Sequence, residues 1–142
     1  MLFGKRERAI TRILVVEDEP LVAFENEYSL REAGYEVVAT VDTLAEAVAV
    51  IEAEQLDLVM TDIALNGDGD GLDVARAAGG KNIPVLFVSG ACPVDGPALG
   101  LGHLAKPYTD KMLKGALEAL DSMLLGTPAQ NLPAGLTLYE KT

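Results

Sequence analysis

The chain has 142 residues, room for one hydrophobic core and little more. Hydrophobic residues make up 49% and charged residues 23%, the balance of a folded globular protein and not of a disordered one. The 22 acidic and 11 basic residues leave a formal charge of -11, which opposes the phosphate attraction behind most nucleic-acid binding and suits a divalent cation or a basic protein partner.

Lys5, Arg6 and Arg8 open the chain, but the apolar run Ile13 to Val16 ends at Glu17 and Asp18, so no signal peptide is expected. No stretch approaches the roughly 20 apolar residues of a membrane helix. The single cysteine, Cys92, has no internal disulfide partner and reads as a small residue after a strand. A cytoplasmic, non-membrane protein is the expectation.

Ile13 to Val16 reads as a strand buried on both faces. Pro20 starts a helix to about Ala33, with Leu21, Phe24, Tyr28 and Leu30 at near-helical spacing, and Gly34 closes it. Tyr35 to Ala39 is a second strand. Thr43 with Glu46 forms a capping-box pattern ahead of a second helix to about Glu54. Leu56 to Thr61 is a third strand ending at Asp62, and the glycine-rich loop Asn66 to Gly71 leads into a short helix over Leu72 to Ala78.

Ile83 to Val88 is the fourth strand. Pro93, Gly96, Pro97, Gly100 and Gly102 then crowd a segment where the alternation calls for a helix, so that helix is expected to be short, distorted or absent. His103 to Ala105 is a short fifth strand, and Tyr108 to Leu125 a long last helix with Met112, Leu113, Ala116, Leu117, Leu120 and Leu124 along one stripe. Strands alternating with helices predict a five-stranded parallel sheet covered on both faces. The tail over 126–142 is expected to be a flexible end, the alternative being a segment that docks on the body or on a neighbouring chain.

In an open parallel sheet, ligands bind beyond the carboxyl ends of the strands. Those ends carry Glu17 and Asp18, Asp62, Ser89 and Lys106. Carboxylates brought together repel one another unless a cation neutralises them, and Mg2+ favours one or two carboxylates with water and a phosphate oxygen. Asp62 would then be free to act as a nucleophile, with Lys106 and the Ser89 hydroxyl stabilising phosphoryl oxygens.

The stretches Arg12 to Pro20, Asp57 to Asp62, Val85 to Gly90 and Leu104 to Tyr108 together resemble the four signatures of two-component response regulator receiver domains, in order and register over residues 10–125. The resemblance implies a flavodoxin-like, doubly wound sheet of order 2-1-3-4-5. It implies Asp62 as phosphoacceptor, a Mg2+ (or Mn2+) ion held by Glu17, Asp18, Asp62 and the Ala64 backbone carbonyl, Ser89 as switch hydroxyl and Lys106 as phosphate-contacting lysine. Glu17 stands where aspartate is commoner. Glu17 to Ala23 and the loop after Asp62 further resemble small alphaproteobacterial receivers.

The implied function is that of a phosphorelay protein and not an enzyme, charged by a sensor histidine kinase or phosphotransfer protein. With no effector domain expected, output would come through a downstream protein or by acting as a phosphate sink. The span from Ser89 to Lys106 is shorter than the family's, which puts the fourth helix and the output face in question. His103 stands where the family often has a switching aromatic. It is expected either to report phosphorylation by hydrogen bonding or to be a half-exposed residue with no switch role. Ala64 and Ala91 occupy positions that tune dephosphorylation, and neither side chain can orient water.

Asn66 to Gly71 resembles the opening of a calcium loop, but its twelfth position is Ala77, so it reads as a solvated turn. A pseudo-receiver that binds partners without phosphorylation is the main alternative. A haloacid-dehalogenase-type phosphatase would want a second aspartate two residues after Asp62, where Ala64 stands.

Overall fold

The structure is a computed structural model that describes residues 8–90, 95–128 and 132–139. In chain order the elements are β1 (Arg12–Val16), α1 (Pro20–Glu32), β2 (Glu36–Val41), α2 (Leu44–Ala53), β3 (Leu58–Thr61), α3 (Gly71–Gly79), β4 (Val85–Ser89), α4 (Gly96–Leu99), β5 (Gly102–Ala105), α5 (Asp110–Leu124) and β6 (Leu136–Leu138). The sheet order is β2-β1-β3-β4-β5-β6. The first five strands are parallel, as expected for α/β alternation, and β6 joins β5 antiparallel.

The central strands bury both faces, so they read as unbroken apolar runs. Ile13, Val15, Met60, Leu86 and Leu104 pack with Leu30 of α1 and Leu113, Leu117 and Leu120 of α5. Leu14, Val16, Val59 and Phe87 pack on the other face with Ala47 and Ile51 of α2 and Val74 of α3. Because β1, β3, β4 and β5 run parallel, their carboxyl ends, and the residues at and just after them, lie along one rim.

Several sequence expectations change here. In the tail, the alternative of docking on the body holds for residues 136–139: Leu136–Leu138 pairs with β5, and Tyr139 is buried against the α2 and α3 side. In α1, Leu21, Phe24 and Tyr28 are not a core stripe but are 71%, 69% and 62% exposed, and the buried positions are Asn26 and Leu30. Leu124 of α5 is 40% exposed, while Asp121 is buried, accepting hydrogen bonds from the Ala9 and Ile10 amides at 2.7 and 2.9 Å. Tyr108 precedes α5, whose N-cap is Thr109.

The expected shortening of the fourth helix is present, since α4 is a single turn. Thr43 caps α2 by accepting from the Glu46 amide at 3.1 Å, but the full reciprocal capping box is formed by Asp70 and Asp73 at α3. Gly34 takes φ +95 at the end of α1, a conformation that favours glycine.

Candidate functional site

Glu17 and Asp18 leave β1, Asp62 leaves β3, Ser89 ends β4 and Lys106 follows β5, all at the carboxyl rim. Backbone bonds fix the two acidic turns against their neighbours: the Glu17 amide donates to Val41 O at 2.9 Å and the Asp62 amide to Val16 O at 2.9 Å. Behind Asp62 the first turn of α3 approaches so closely that a Cβ on Gly71 would lie 2.0 Å from the Asp62 carbonyl oxygen. The Gly71 amide donates to Ile63 O at 2.7 Å, so only glycine fits this approach.

Lys106 is the hub of the site. Its Nζ donates to Asp62 Oδ2 at 2.7 Å and to Glu19 Oε1 at 3.3 Å, and lies 2.9 Å from Glu17 Oε1. Burial works against the lysine's charge, but the close contacts and negative charges of Asp62 and Glu17 outweigh it and raise its pKa. The other Asp62 oxygen accepts from the Ile63 amide at 2.6 Å. The Lys106–Pro107 peptide is cis.

Glu17 is buried, and desolvation pushes its carboxyl up to about 7 despite the opposing Lys106 contact. Its Oε2 accepts from the Glu19 amide at 3.2 Å. Its Oε1 is buried within ion-pair range of Lys106 but is not aligned for a hydrogen bond. Glu17, Asp18, Glu19 and Asp62 each offer a carboxylate oxygen, and these lie within 4.8 Å of one another. A buried carboxylate oxygen without a hydrogen bond, among converging acids, fits a hard divalent cation with oxygen ligands.

Ser89 and His103 are diagonal neighbours on β4 and β5, where Phe87 pairs with His103 and Ser89 with Ala105, and they share a hydrogen bond of 3.1 Å between Ser89 Oγ and His103 Nε2. His103 is 4% exposed, so the reading of a half-exposed strand residue does not hold. Burial lowers its pKa, and a hydrogen bond with the Ser89 backbone counteracts this. Ala64 is exposed in the loop two residues past Asp62. Ala91 and Cys92 lie outside the described residues.

The Asn66 to Gly71 turn uses its acids locally: Asp70 accepts from the Leu72 and Asp73 amides at 2.9 and 3.1 Å, and Gly67 and Gly69 take φ +73 and +89. Sequence reasoning missed Glu19, which reads as a helix lead-in until the turn into α1 folds it back toward Lys106. It also missed the bond from Tyr108 Oη to Asn26 Oδ1 at 2.8 Å, which ties α1 to the segment after Lys106. A cleft of about 490 Å³ opens there, lined in part by Glu19, Asn26, Lys106 and Tyr108.

The model of the response regulator receiver domain matches residues 13–118. The chain belongs to that family. This receiver is 32% identical over 113 residues to the transcriptional regulatory protein PdtaR of Mycobacterium tuberculosis, an alignment covering 75% of this chain and 55% of the relative. The chain thus spans about half the length of the curated relatives it matches. Its fold is similar to the solution structure of SdrG from Sphingomonas melonis, with 35% identity, TM-score 0.68, and coverage of 80% of this chain and 98% of that one. It is similar also to the receiver domain of the Pseudomonas aeruginosa sensor histidine kinase PA1611, solved with magnesium in its active-site cleft (27% identity, TM-score 0.67, 82% and 98% covered). Among the described residues of this receiver, no helix is long and apolar enough to cross a membrane.

Proposed function

We propose that this receiver accepts a phosphoryl group on Asp62 from a phosphohistidine of a sensor kinase or phosphotransfer protein, and that it passes the signal on by protein contact or drains the phosphoryl group from a shared donor. The observation that carries this reading is Lys106 Nζ set between Asp62 Oδ2 at 2.7 Å and Glu17 Oε1 at 2.9 Å. Such a fixed positive charge would stabilise the negative charge of a phosphoryl group bonded to Asp62.

A Mg2+ (or Mn2+) ion held by Glu17, Asp18, Asp62 and the Ala64 carbonyl would offset the repulsion between carboxylate and phosphoryl oxygens. One Asp62 oxygen attacks phosphorus while the P–N bond to the donor imidazole breaks. The electron pair stays on the imidazole nitrogen, which takes up a proton from solvent. Lys106 steadies the equatorial oxygens, and the Ser89 hydroxyl donates to one of them. In this exchange the protein is the acceptor and leaves as its aspartyl-phosphate form, so in this reading it acts as a signalling partner and not as an enzyme.

The donor must present its histidine beside Asp62. The exposed Leu21, Phe24 and Tyr28 of α1 give an apolar stripe next to the acidic rim, suited to a helical partner with basic flanks. Incubation with acetyl phosphate and Mg2+ followed by intact-mass measurement should give a labile phosphoryl adduct that Asp62→Asn abolishes. An adduct that survives that substitution, or none at all, rejects the reading.

The single-turn α4 favours a second reading, a binding module indifferent to phosphorylation. Partner binding that is equal in the wild type and Asp62→Asn, with and without phosphoryl donor, would support it.

A further inference from the structure

β6 is a marginal strand on a prepared seat. It has three residues, below the usual length of about 5–6, and is reached through a segment that carries Pro128, Pro133 and Gly135. The strand it covers is shaped to receive it. A Cβ on Gly102 would stand 2.7 Å from Thr137 O, so glycine there lets the two backbones meet. Leu136 and Leu138 pack on the α1 and α5 side of the sheet, while Tyr139 is buried on the opposite side. The Ala105 amide donates to Gly135 O at 2.9 Å and the Tyr139 amide to Leu101 O at 2.8 Å, closing both ends of the pairing.

The middle of that pairing is His103, opposite Thr137 in the register. The same His103 shares its Nε2 hydrogen bond with Ser89 Oγ at 3.1 Å. One residue therefore links the two features, its side chain bonded to Ser89 at the rim of the site and its backbone paired with Thr137 of β6. A buried ring nitrogen that loses its partner must find another or shift, since an unsatisfied buried polar group is costly.

Resting on the phosphoacceptor reading above, we propose that β6 is a displaceable strand. It closes the β5 edge in the unphosphorylated protein. When Ser89 turns from His103 to a phosphoryl oxygen on Asp62, the His103 contact is lost and β6 is released. The vacated edge then takes an extended segment of a partner protein with apolar residues at alternate positions, the pattern of Leu136 and Leu138. Main-chain pairing to an open sheet edge is a general mode of peptide recognition, and an edge left open invites it.

The test uses the full chain. Hydrogen exchange of Leu136 to Tyr139 is measured without ligand and with beryllofluoride and Mg2+, while intact-mass measurement after acetyl phosphate reports whether Asp62 is phosphorylated. Protection of β6 should fall about tenfold with beryllofluoride, the effect expected from losing one buried hydrogen bond. Ser89→Ala should lower that protection without any ligand and remove the response. A synthetic peptide spanning Leu132 to Tyr139 should bind the beryllofluoride form about tenfold more tightly than the free form, and the same peptide with proline at the Thr137 position should not bind.

An adduct on Asp62 with unchanged β6 protection overturns the displacement while leaving the phosphoacceptor reading intact. Failure of Ser89→Ala to loosen β6 in the free protein overturns the coupling through His103. Absence of any adduct rejects the phosphoacceptor reading and the displacement with it. Equal binding of the peptide to both forms overturns the regulated edge.

Discussion

Burial and charge pull Glu17 in opposite directions. Desolvation alone would favour its neutral form, and it does raise the carboxyl to about 7, while Lys106 at 2.9 Å favours the ionised form. A divalent cation bound among Glu17, Asp18 and Asp62 would settle this balance on the ionised side. Adding Mg2+ at ten to a hundred times its dissociation constant should therefore stabilise the fold by about 1.4–2.7 kcal/mol, seen as a higher thermal midpoint. Asp18→Asn should remove most of that gain, and a midpoint that ignores Mg2+ in the wild type would contradict the metal assignment. His103 gives a second residue-scale expectation. Burial holds its folded pKa below the ordinary value of 6.5, so the folded state favours the neutral ring. In the interval between that depressed value and 6.5 the unfolded chain binds more protons, so stability is lost as pH falls through it and is fully present above 6.5. Chemical denaturation at steps between pH 7 and pH 5 should show His103→Phe losing less stability than the wild type on acidification. Parallel losses in the two proteins would mean that His103 does not carry the effect.

α3 shows at the scale of one element how a helix positions a side chain it does not contain. Its N-terminal Gly71 packs on the Asp62 carbonyl, and its Asp70 and Asp73 capping box fixes where the first turn begins. Gly71→Ala forces either α3 or the Asp62 turn to move and should cost about 1–3 kcal/mol, the usual effect of overpacking. It should also slow phosphorylation by acetyl phosphate more than that stability loss explains, because the acceptor itself is displaced. In the last turn of the same helix, a Cβ added at Gly79 would meet nothing within 4 Å, so Gly79→Ala should be neutral or stabilising by up to about 1 kcal/mol. Urea denaturation and phosphorylation rates of the pair separate contact from propensity, since equal effects at both glycines would rule out the packing explanation. The elements that were legible in the sequence were those with strong local signals: apolar runs ending in Asp18, Asp62 and Ser89, and the glycine and proline crowding that leaves α4 one turn long. What was not legible depended on tertiary choice. The period of α1 announces an apolar stripe but not which face meets the sheet, and the helix buries Asn26 and Leu30 in place of Phe24 and Tyr28. Glu19 joins the site only because the turn into α1 folds it back toward Lys106 at 3.3 Å.

For the molecule as a whole, residues 136–139 extend the core on both sides of the sheet, as the central strands do. Leu-Thr-Leu is too short for a period of two to stand out in the sequence, and only pairing with β5 gives the alternation meaning. Once paired, Leu136 and Leu138 join the cluster under α1 and α5, while Tyr139, 5% exposed, joins the one under α2 and α3. A residue placed this way contributes to the folded domain while β6 is docked, because it shares the buried cluster of Phe87 and Ile51. Tyr139→Ala should therefore lower the global unfolding free energy by about 2–4 kcal/mol, as truncation of a buried large side chain does. The dependence on denaturant should keep its slope, since a single domain of this size unfolds as one unit. Leu132, 46% exposed on the segment leading into β6, is the control, and Leu132→Ala should stay within about 0.5 kcal/mol of the wild type. If Tyr139→Ala instead matched Leu132→Ala, the end of the chain would be a passenger on the β5 edge. A large loss at Tyr139 would identify that edge as part of the fold's own balance, which a phosphoryl group on Asp62 could then tip.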